Sequence, residues 1–92
     1  MNEQHSEDLE LRRRRLRFRA WHRGTRELDL LLGRFVDAEL AKLGERDISA
    51  FEALMEVPDT DLYGWITGGL EIPAPYDTPL LLRLRAFHGG AR

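Results

Sequence analysis

The sequence predicts an all-α protein, a small single-domain bundle of about five short helices. Two observations predict it: apolar residues recur at helical spacing in successive segments, and glycine or proline interrupts the chain between those segments. No segment shows the alternation of apolar and polar residues that is typical of a strand. With 92 residues and 42% hydrophobic residues, the chain forms one domain, residues 1–92, near the lower size limit for independent folding. We expect residues 1–6 and 89–92 to be frayed.

The first predicted helix begins at about Ser6, which serves as its N-cap, and ends at about His22, before Gly24 interrupts the pattern. Arginines occupy most of its circumference. Residues 1–26 carry eight arginines against four acids, whereas residues 27–77 carry twelve acids against three basic residues. A molecule with its charges separated in this way steers the approach of a charged partner.

The second predicted helix runs from Thr25 to Leu43, and Gly44 occupies the position after its C-cap. Gly33 inside this helix costs about 1 kcal/mol relative to alanine, but it permits close packing of a neighbour. The apolar residues follow the i, i+3, i+4, i+7 spacing of a buried stripe, which makes this helix the spine of the bundle. The stripe consists of Leu28, Leu31, Leu32, Phe35, Val36, Leu40 and Leu43.

Glycines and prolines delimit three further helices, predicted over residues 46–56, over residues 59–67, and from Thr78 to the glycine pair that begins at Gly89. Asp59 is the expected cap of the fourth helix. Thr78 and the proline that follows it form an N-cap and N1 pair for the fifth helix. The apolar residues expected on these helices are Ile48, Phe51, Leu54, Met55, Leu62, Trp65, Ile66, Leu80, Leu81, Leu82, Leu84 and Phe87.

The composition excludes several classes of protein. The chain has no cysteine, so disulfides and thiolate chemistry are absent. No apolar run approaches the roughly 20 residues that a membrane span needs, and the polar, acidic N-terminus is unlike a signal or transit peptide. We therefore expect no membrane insertion and a cytoplasmic location.

Signatures of catalysis are missing as well. The sequence contains no phosphate-binding loop, no dinucleotide fingerprint and no serine nucleophile motif. Its three histidines, His5, His22 and His88, do not have metal-ligand spacing on one helix. We therefore expect no catalytic residue, no bound metal and no tightly bound cofactor.

The arginine run at positions 12–19, RRRRLRFR, permits two interpretations. Arginines bind phosphates, and Phe18 or Trp21 can stack on bases, which indicates nucleic acid. A sequence pI of 5.9 and the acidic remainder of the chain oppose that interpretation. The other interpretation is a solvated face, or a salt-bridged one that pairs either with the acidic helices or with the acids near the N-terminus, Glu3, Glu7, Asp8 and Glu10. A small regulator that binds nucleic acid or an acidic protein through this helix is the alternative function.

The junction of the first two helices is the most informative stretch. Gly24 lets the backbone adopt a positive φ and lets a partner backbone approach closely. Arg23 is expected to project from the corner as a rigid fork of donors. Glu27 lies where the helix N-terminus favours a negative charge. From the residues alone, a partner-binding corner and a plain turn in which Glu27 helps to cap the helix are both open.

The junction sequence RGTRELD closely resembles the Arg-Gly-x-x-Glu motif of the SdhE/YgfY family, bacterial flavinylation factors related to mitochondrial succinate dehydrogenase assembly factor 2. Downstream, DTDLYGWI at positions 59–66 resembles the family's Asp-x-Asp-Leu-aromatic-x-Trp segment, and LMEVPD precedes it as in the family. Together these motifs cover most of residues 12–70 in the expected order. The C-terminal helix matches the family by position alone.

The resemblance implies a helical bundle that works as a chaperone rather than as an enzyme. Family members bind the flavoprotein subunit of succinate dehydrogenase, and often that of fumarate reductase, and promote the self-catalysed attachment of FAD to a histidine of that subunit. The chain would then act on the FAD of its partner. Trp65 is expected in the core. The residues expected to bind the partner are His22, Arg23, Gly24, Arg26, Glu27 and Asp29.

Overall fold

The structure, a computed structural model, describes residues 2–90, with side chains from residue 8 to residue 89. Five α-helices form a bundle, and this part of the chain contains no strand. The helices are α1 (Asn2–Trp21), α2 (Arg26–Glu39), α3 (Glu45–Leu54), α4 (Asp59–Thr67) and α5 (Pro79–Arg85). Short 3₁₀ turns follow at Leu40–Lys42 and Ala74–Tyr76, and a wide π-type turn, Ala86–Gly90, follows α5.

The predicted fold class is confirmed, and α2 is the central helix of the core. Every residue of its predicted stripe is buried except Leu31, which is partly buried. The apolar residues of α3 and α4 face the same core, including Trp65, which packs against Tyr76 with ring centroids 5.0 Å apart. On α5, Leu82 points outward and is 52% exposed, while the other three leucines are buried.

Helix α1 packs along α2 through an aromatic ring that covers a glycine. The indole of Trp21 lies directly on Gly33, where any added Cβ would overlap the ring. The ring is held in place because its Nε1–H donates to Asp37 at 3.2 Å. The close packing expected at Gly33 is therefore confirmed, and the helix-propensity cost of this glycine is offset by contact with the ring.

The C-terminal turn is tied back to α2. Phe87 meets Phe35 edge to face at a centroid distance of 5.5 Å, and Phe35 meets Phe51 of α3 at 5.9 Å. The ring nitrogen Nε2 of His88 donates to the carbonyl oxygen of Leu31. Burial lowers the pKa of His88, and the nearby charge of Arg34 acts in the same direction, while the hydrogen bond to Leu31 opposes both.

Several predicted helix ends differ from the structure. The third helix ends at Leu54 instead of residue 56, and the fifth ends at Arg85, with the turn Ala86–Gly90 after it. Helix α1 already includes Asn2, so Ser6 lies within the helix and does not cap it. Helix α2 ends at Glu39, and Gly44 is the N-cap of α3 rather than the residue after a C-cap. Pro58 precedes α4 at the N-cap, and Asp59 is its first residue. The expected fraying of both chain ends stays a prediction, and residues 1, 91 and 92 lie outside the described part.

The candidate partner-binding corner

The turn between α1 and α2, residues 22–25, is stabilised by hydrogen bonds from backbone N–H groups to two side chains. One belongs to Asp29 in α2 and the other to Thr25, the N-cap of α2. Asp29 accepts the N–H groups of Arg23 and Gly24 at 2.6 and 3.3 Å. Thr25 caps α2 by accepting the N–H of Leu28 at 3.4 Å. Gly24 has φ +112°, a conformation that strongly favours glycine, so the expected positive φ is confirmed. Asp29 thus shapes the corner from within.

The sequence predicted that Arg23 projects from the corner, and this prediction is wrong. Its side chain is only 12% exposed and turns inward, toward the junction between α3 and α4. Nε and Nη2 donate to Oδ1 of Asp59 at 3.0 and 2.6 Å, while Nη1 and Nη2 donate to the carbonyls of Met55 and Val57, each at 2.6 Å. These four bonds, which we call the Arg23 clamp, join the corner to residues more than 30 positions away.

The physical reason for the inward turn is electrostatic. The Met55 carbonyl lies at the C-cap of α3 and carries part of the negative charge of a helix C-terminus. The Val57 carbonyl lies two residues further on, and Asp59 adds a full negative charge beside it. A guanidinium presents several donors in a fixed plane, so it satisfies all three acceptors at once. Asp59 is therefore occupied by Arg23, which explains why it does not cap α4.

The outward side of the corner carries the remaining motif residues. Gly24, Arg26 and Glu27 are exposed, and no atom lies within 4 Å of the position that a Cβ on Gly24 would take. Beside them is a shallow groove of about 420 Å³ between the start of α2 and the start of α4, which we call the corner groove. It is lined by Thr25, Glu27, Leu28, Asp59, Thr60 and Tyr63.

Tyr63 and Thr60 are site residues that the sequence did not identify. Tyr63 is 43% exposed and forms a wall of the corner groove opposite the motif residues. Both lie in the segment that resembles the second family motif, of which the sequence assigns Trp65 to the core. The available signal was the position of Tyr63, two residues before the buried Trp65, which puts the two rings on different sides of α4.

His22 adjoins the corner on the exposed side of α1. Its ring stacks on Phe18, with centroids 4.1 Å apart and planes 19° apart. Nδ1 of His22 donates to the carbonyl oxygen of Phe18 at 2.7 Å. The structure therefore places the six predicted residues in the turn and in the first turn of α2, but only His22, Gly24, Arg26 and Glu27 are exposed there.

The arginine run divides into an inward and an outward set. Arg12 forms a bidentate salt bridge with Glu52, with N–O distances of 2.9 and 3.0 Å, and these hydrogen bonds raise the pKa of Arg12. Arg19 forms a salt bridge with Glu56 at 2.7 Å. Arg13 donates to the Leu43 carbonyl at 2.9 Å. Three of the six arginines of the run, Arg12, Arg17 and Arg19, thus pair with carboxylates from the acidic part of the chain. Arg12 and Arg13 also lie within 4 Å of Asp8 and Glu10 on α1 itself.

Other kinds of site are not in evidence within the described part of the chain. None of its helices is long and apolar enough to cross a membrane. Among the side chains of residues 8–89, no three histidines or carboxylates cluster as metal ligands do.

A protein-family model described as "Sdh5: Flavinator of succinate dehydrogenase" matches residues 14–88. The match begins within α1, includes the corner and the Arg23 clamp, and ends inside the C-terminal turn. The chain belongs to the Sdh5 family. The resemblance seen in the motifs is thereby confirmed over a longer stretch than the motifs cover.

Individual Sdh5-family proteins agree with this assignment. The chain is 42% identical over 78 residues to the FAD assembly factor SdhE of Acetobacter pasteurianus, covering 85% of this chain and 72% of that protein. It is 35% identical over 74 residues to the mitochondrial succinate dehydrogenase assembly factor 2 of Dictyostelium discoideum, and 33% identical over 85 residues to that of Culex quinquefasciatus. These matches cover 80% and 90% of this chain, but only 52% and 54% of the two mitochondrial proteins. No solved structure matches the chain significantly.

Membership of the Sdh5 family favours an assembly factor over an enzyme of metabolism. None of these matches supports the alternative of a regulator that binds nucleic acid. At the corner, the Arg-Gly-x-x-Glu sequence, an exposed glycine and an open groove coincide.

Proposed function

We propose that this protein is an assembly factor that binds the flavoprotein subunit of succinate dehydrogenase and promotes the covalent attachment of FAD to it. Family membership carries the proposal, and the geometry of the corner supports it. The partner contacts are Gly24, Arg26 and Glu27 at the turn, with His22 beside them. Arg23 and Asp29 act by holding the turn in its shape.

The corner inserts into a flavoprotein that has not fully closed around its FAD. Binding favours the conformation in which the acceptor histidine faces the flavin ring, and a chaperone achieves this only through a higher affinity for that conformation. The bond then forms within the partner by proximity and orientation, without a catalytic residue from this chain. The assembly factor holds no FAD tightly, and the flavin belongs to the partner throughout.

Two finer points belong to the same proposal. The flavoprotein subunit of fumarate reductase is a second partner, bound through the same corner. The place of action is the cytoplasm, as the cysteine-free composition suggests.

Gly24→Arg and Glu27→Ala test the proposal, because both residues are exposed and their side chains contribute little to the core. The purified chain is mixed with the apo flavoprotein subunit, FAD and a dicarboxylate, and covalent flavin is followed by in-gel fluorescence after denaturation. We expect wild type to increase flavin attachment and both variants to lose most of that effect. Far-UV circular dichroism is expected to show that both variants keep their helices.

The choice of variants follows from the clamp. Arg23→Ala would remove the internal bonds as well as any partner contact, so its loss of activity would not separate the two roles. Arg34→Gln, an exposed change on the far part of α2, serves as the matched control. If Gly24→Arg and Glu27→Ala promote flavin attachment as well as the control does, the corner is not the site of action.

A further inference from the structure

One face of α1 points away from the core and carries an unusual combination of side chains. Leu11, Phe18 and His22 line up with Arg14 or with Arg15 at steps of three or four residues, so the five side chains form a continuous stripe along the helix. The opposite side of the helix, with Leu9, Leu16 and Ala20, packs into the core. We call the stripe the outer face of α1.

The apolar members of this face are widely exposed. Phe18 is 64% exposed, more than any other large apolar side chain in the described part of the protein, and Leu11 is 52% exposed. Both lie three or four residues from an exposed arginine. Two large apolar side chains aligned on one helix face, and flanked by charge, are typical of a surface that a partner covers.

The arginines of this face are the ones that the fold does not use. Arg12, Arg13, Arg17 and Arg19 all form ion pairs with carboxylates within 4 Å. Arg14 and Arg15 are exposed and have no ion pair with any side chain of residues 8–89. Their guanidinium groups therefore offer free donors for a carboxylate.

The face is also partly preorganised and continuous with the corner. The stacking of Phe18 on His22, together with the hydrogen bond from Nδ1 of His22, fixes both rings in one arrangement. A side chain that is already ordered loses less conformational entropy when a partner binds. His22 directly precedes the clamp residue Arg23, so the stripe reaches the edge of the corner.

We propose that the outer face of α1 extends the docking surface and binds an acidic segment of the flavoprotein, one with apolar side chains between its carboxylates. This inference rests on the proposed function. Carboxylates of the segment meet Arg14 and Arg15, and its apolar side chains cover Leu11 and Phe18. The corner fixes the position of the partner, while the outer face adds affinity and speeds the encounter through charge.

Nucleic acid fits this face less well. Only two arginines of the run have no ion pair among the side chains of residues 8–89, and two phosphate contacts supply little of the electrostatic free energy on which duplex binding depends. The twelve acids of residues 27–77 would repel the rest of the duplex. An acidic protein segment avoids most of this repulsion, because it is short and its carboxylates are few.

The test compares dissociation constants for the isolated flavoprotein subunit, measured by isothermal titration calorimetry with the full-length chain. The test variants are Arg14→Gln/Arg15→Gln and Phe18→Ser. Arg34→Gln/Arg46→Gln is the matched control, since it removes the same charge from exposed positions on α2 and α3. We expect each test variant to bind roughly tenfold more weakly, and the control to bind like wild type. The defect of the arginine variant is expected to shrink as salt is raised from 50 to 500 mM.

The possible outcomes separate this inference from the proposed function. If wild type does not bind the flavoprotein, the proposed function fails and this inference fails with it. If wild type binds and Glu27→Ala weakens the complex while both test variants bind normally, the corner stands and the outer face is not part of the surface. If the test variants instead lose binding to a duplex DNA probe, with flavoprotein binding unchanged, the face serves nucleic acid and our inference is overturned.

Discussion

At the scale of single residues, the most informative side chain is Arg23. The motif suggests an arginine that reaches out to a partner, yet its guanidinium turns inward to Asp59 and to two carbonyls at the end of α3. A nearly buried guanidinium is stabilised there because three acceptors satisfy most of its donors. The exposed residues that follow Arg23 depend on it, since the clamp determines where the turn lies on the bundle.

The clamp predicts a strong energetic coupling between Arg23 and Asp59. We expect Arg23→Ala and Asp59→Ala each to lower the free energy of unfolding by about 2–4 kcal/mol, because each change leaves a charge without its partner. The double variant is expected to lose about 1–3 kcal/mol less than the sum of the two. Urea unfolding followed by circular dichroism at 222 nm measures all four proteins.

The pair of Arg19 and Glu56 provides the control for that cycle. Its N–O distance of 2.7 Å is close to the 2.6 Å of the clamp, but the Glu56 side chain is 72% exposed, against 37% for Asp59. We expect Glu56→Ala to cost less than about 1 kcal/mol. Equal effects of Asp59→Ala and Glu56→Ala would contradict the structural role assigned to the clamp.

At the scale of the helices, the contact between α1 and α2 depends on one small residue. Gly33→Ala gains about 1 kcal/mol in helix propensity, but its methyl group overlaps the indole ring of Trp21. Because overpacking costs about 1–3 kcal/mol, we expect a net loss of stability and a shift of Trp21 fluorescence. Gly44→Ala is the control: a Cβ there meets nothing within 4 Å, and the φ of −83° is an ordinary one. A Gly33→Ala variant as stable as the Gly44→Ala control would contradict this packing.

The helices also show how far sequence reasoning reaches. Thr78 was predicted as an N-cap and is confirmed, because capping depends on atoms within three residues. Thr25, predicted as the start of the second helix, is its N-cap. The stripe of α2 was predicted because burial follows the helical period. The inward orientation of the Arg23 side chain was not predicted, because its acceptors lie more than 30 residues away in the sequence and no local pattern pairs them with Arg23. Asp59 failed as a cap for the same reason.

At the scale of the whole molecule, folding brings the basic first helix against the acidic third helix. The opposite charges that the sequence separates by position are thus partly paired across the bundle, as in Arg12 with Glu52. The charges left unpaired lie on the outside, with Arg14 and Arg15 on α1. The core beneath them is small, so the stability of the bundle depends on few large side chains.

Two phenylalanines, one in the core and one on the surface, test the assignment of core and surface directly. Phe35 is buried between Phe51 and Phe87, and we expect Phe35→Ala to lose about 3–5 kcal/mol. A domain of this size has a total stability of about 5–10 kcal/mol, so the variant should unfold at a clearly lower temperature. Phe18→Ala is expected to change the free energy of unfolding by less than about 0.5 kcal/mol, because its ring is mostly exposed. Similar melting curves for the two variants would contradict the assignment of core and surface.

The Arg23 clamp makes the shape of the corner depend on the folding of the second half of the chain. Its acceptors come from the end of α3 and the start of α4, so the corner takes its shape only after the chain has been made well past its middle and has closed on itself. A chain that ends early, or whose second half is unfolded, contains the motif in its sequence but does not display it. If the corner binds the flavoprotein as proposed, recognition by the partner also requires a finished fold, and incomplete copies would not compete for the flavoprotein.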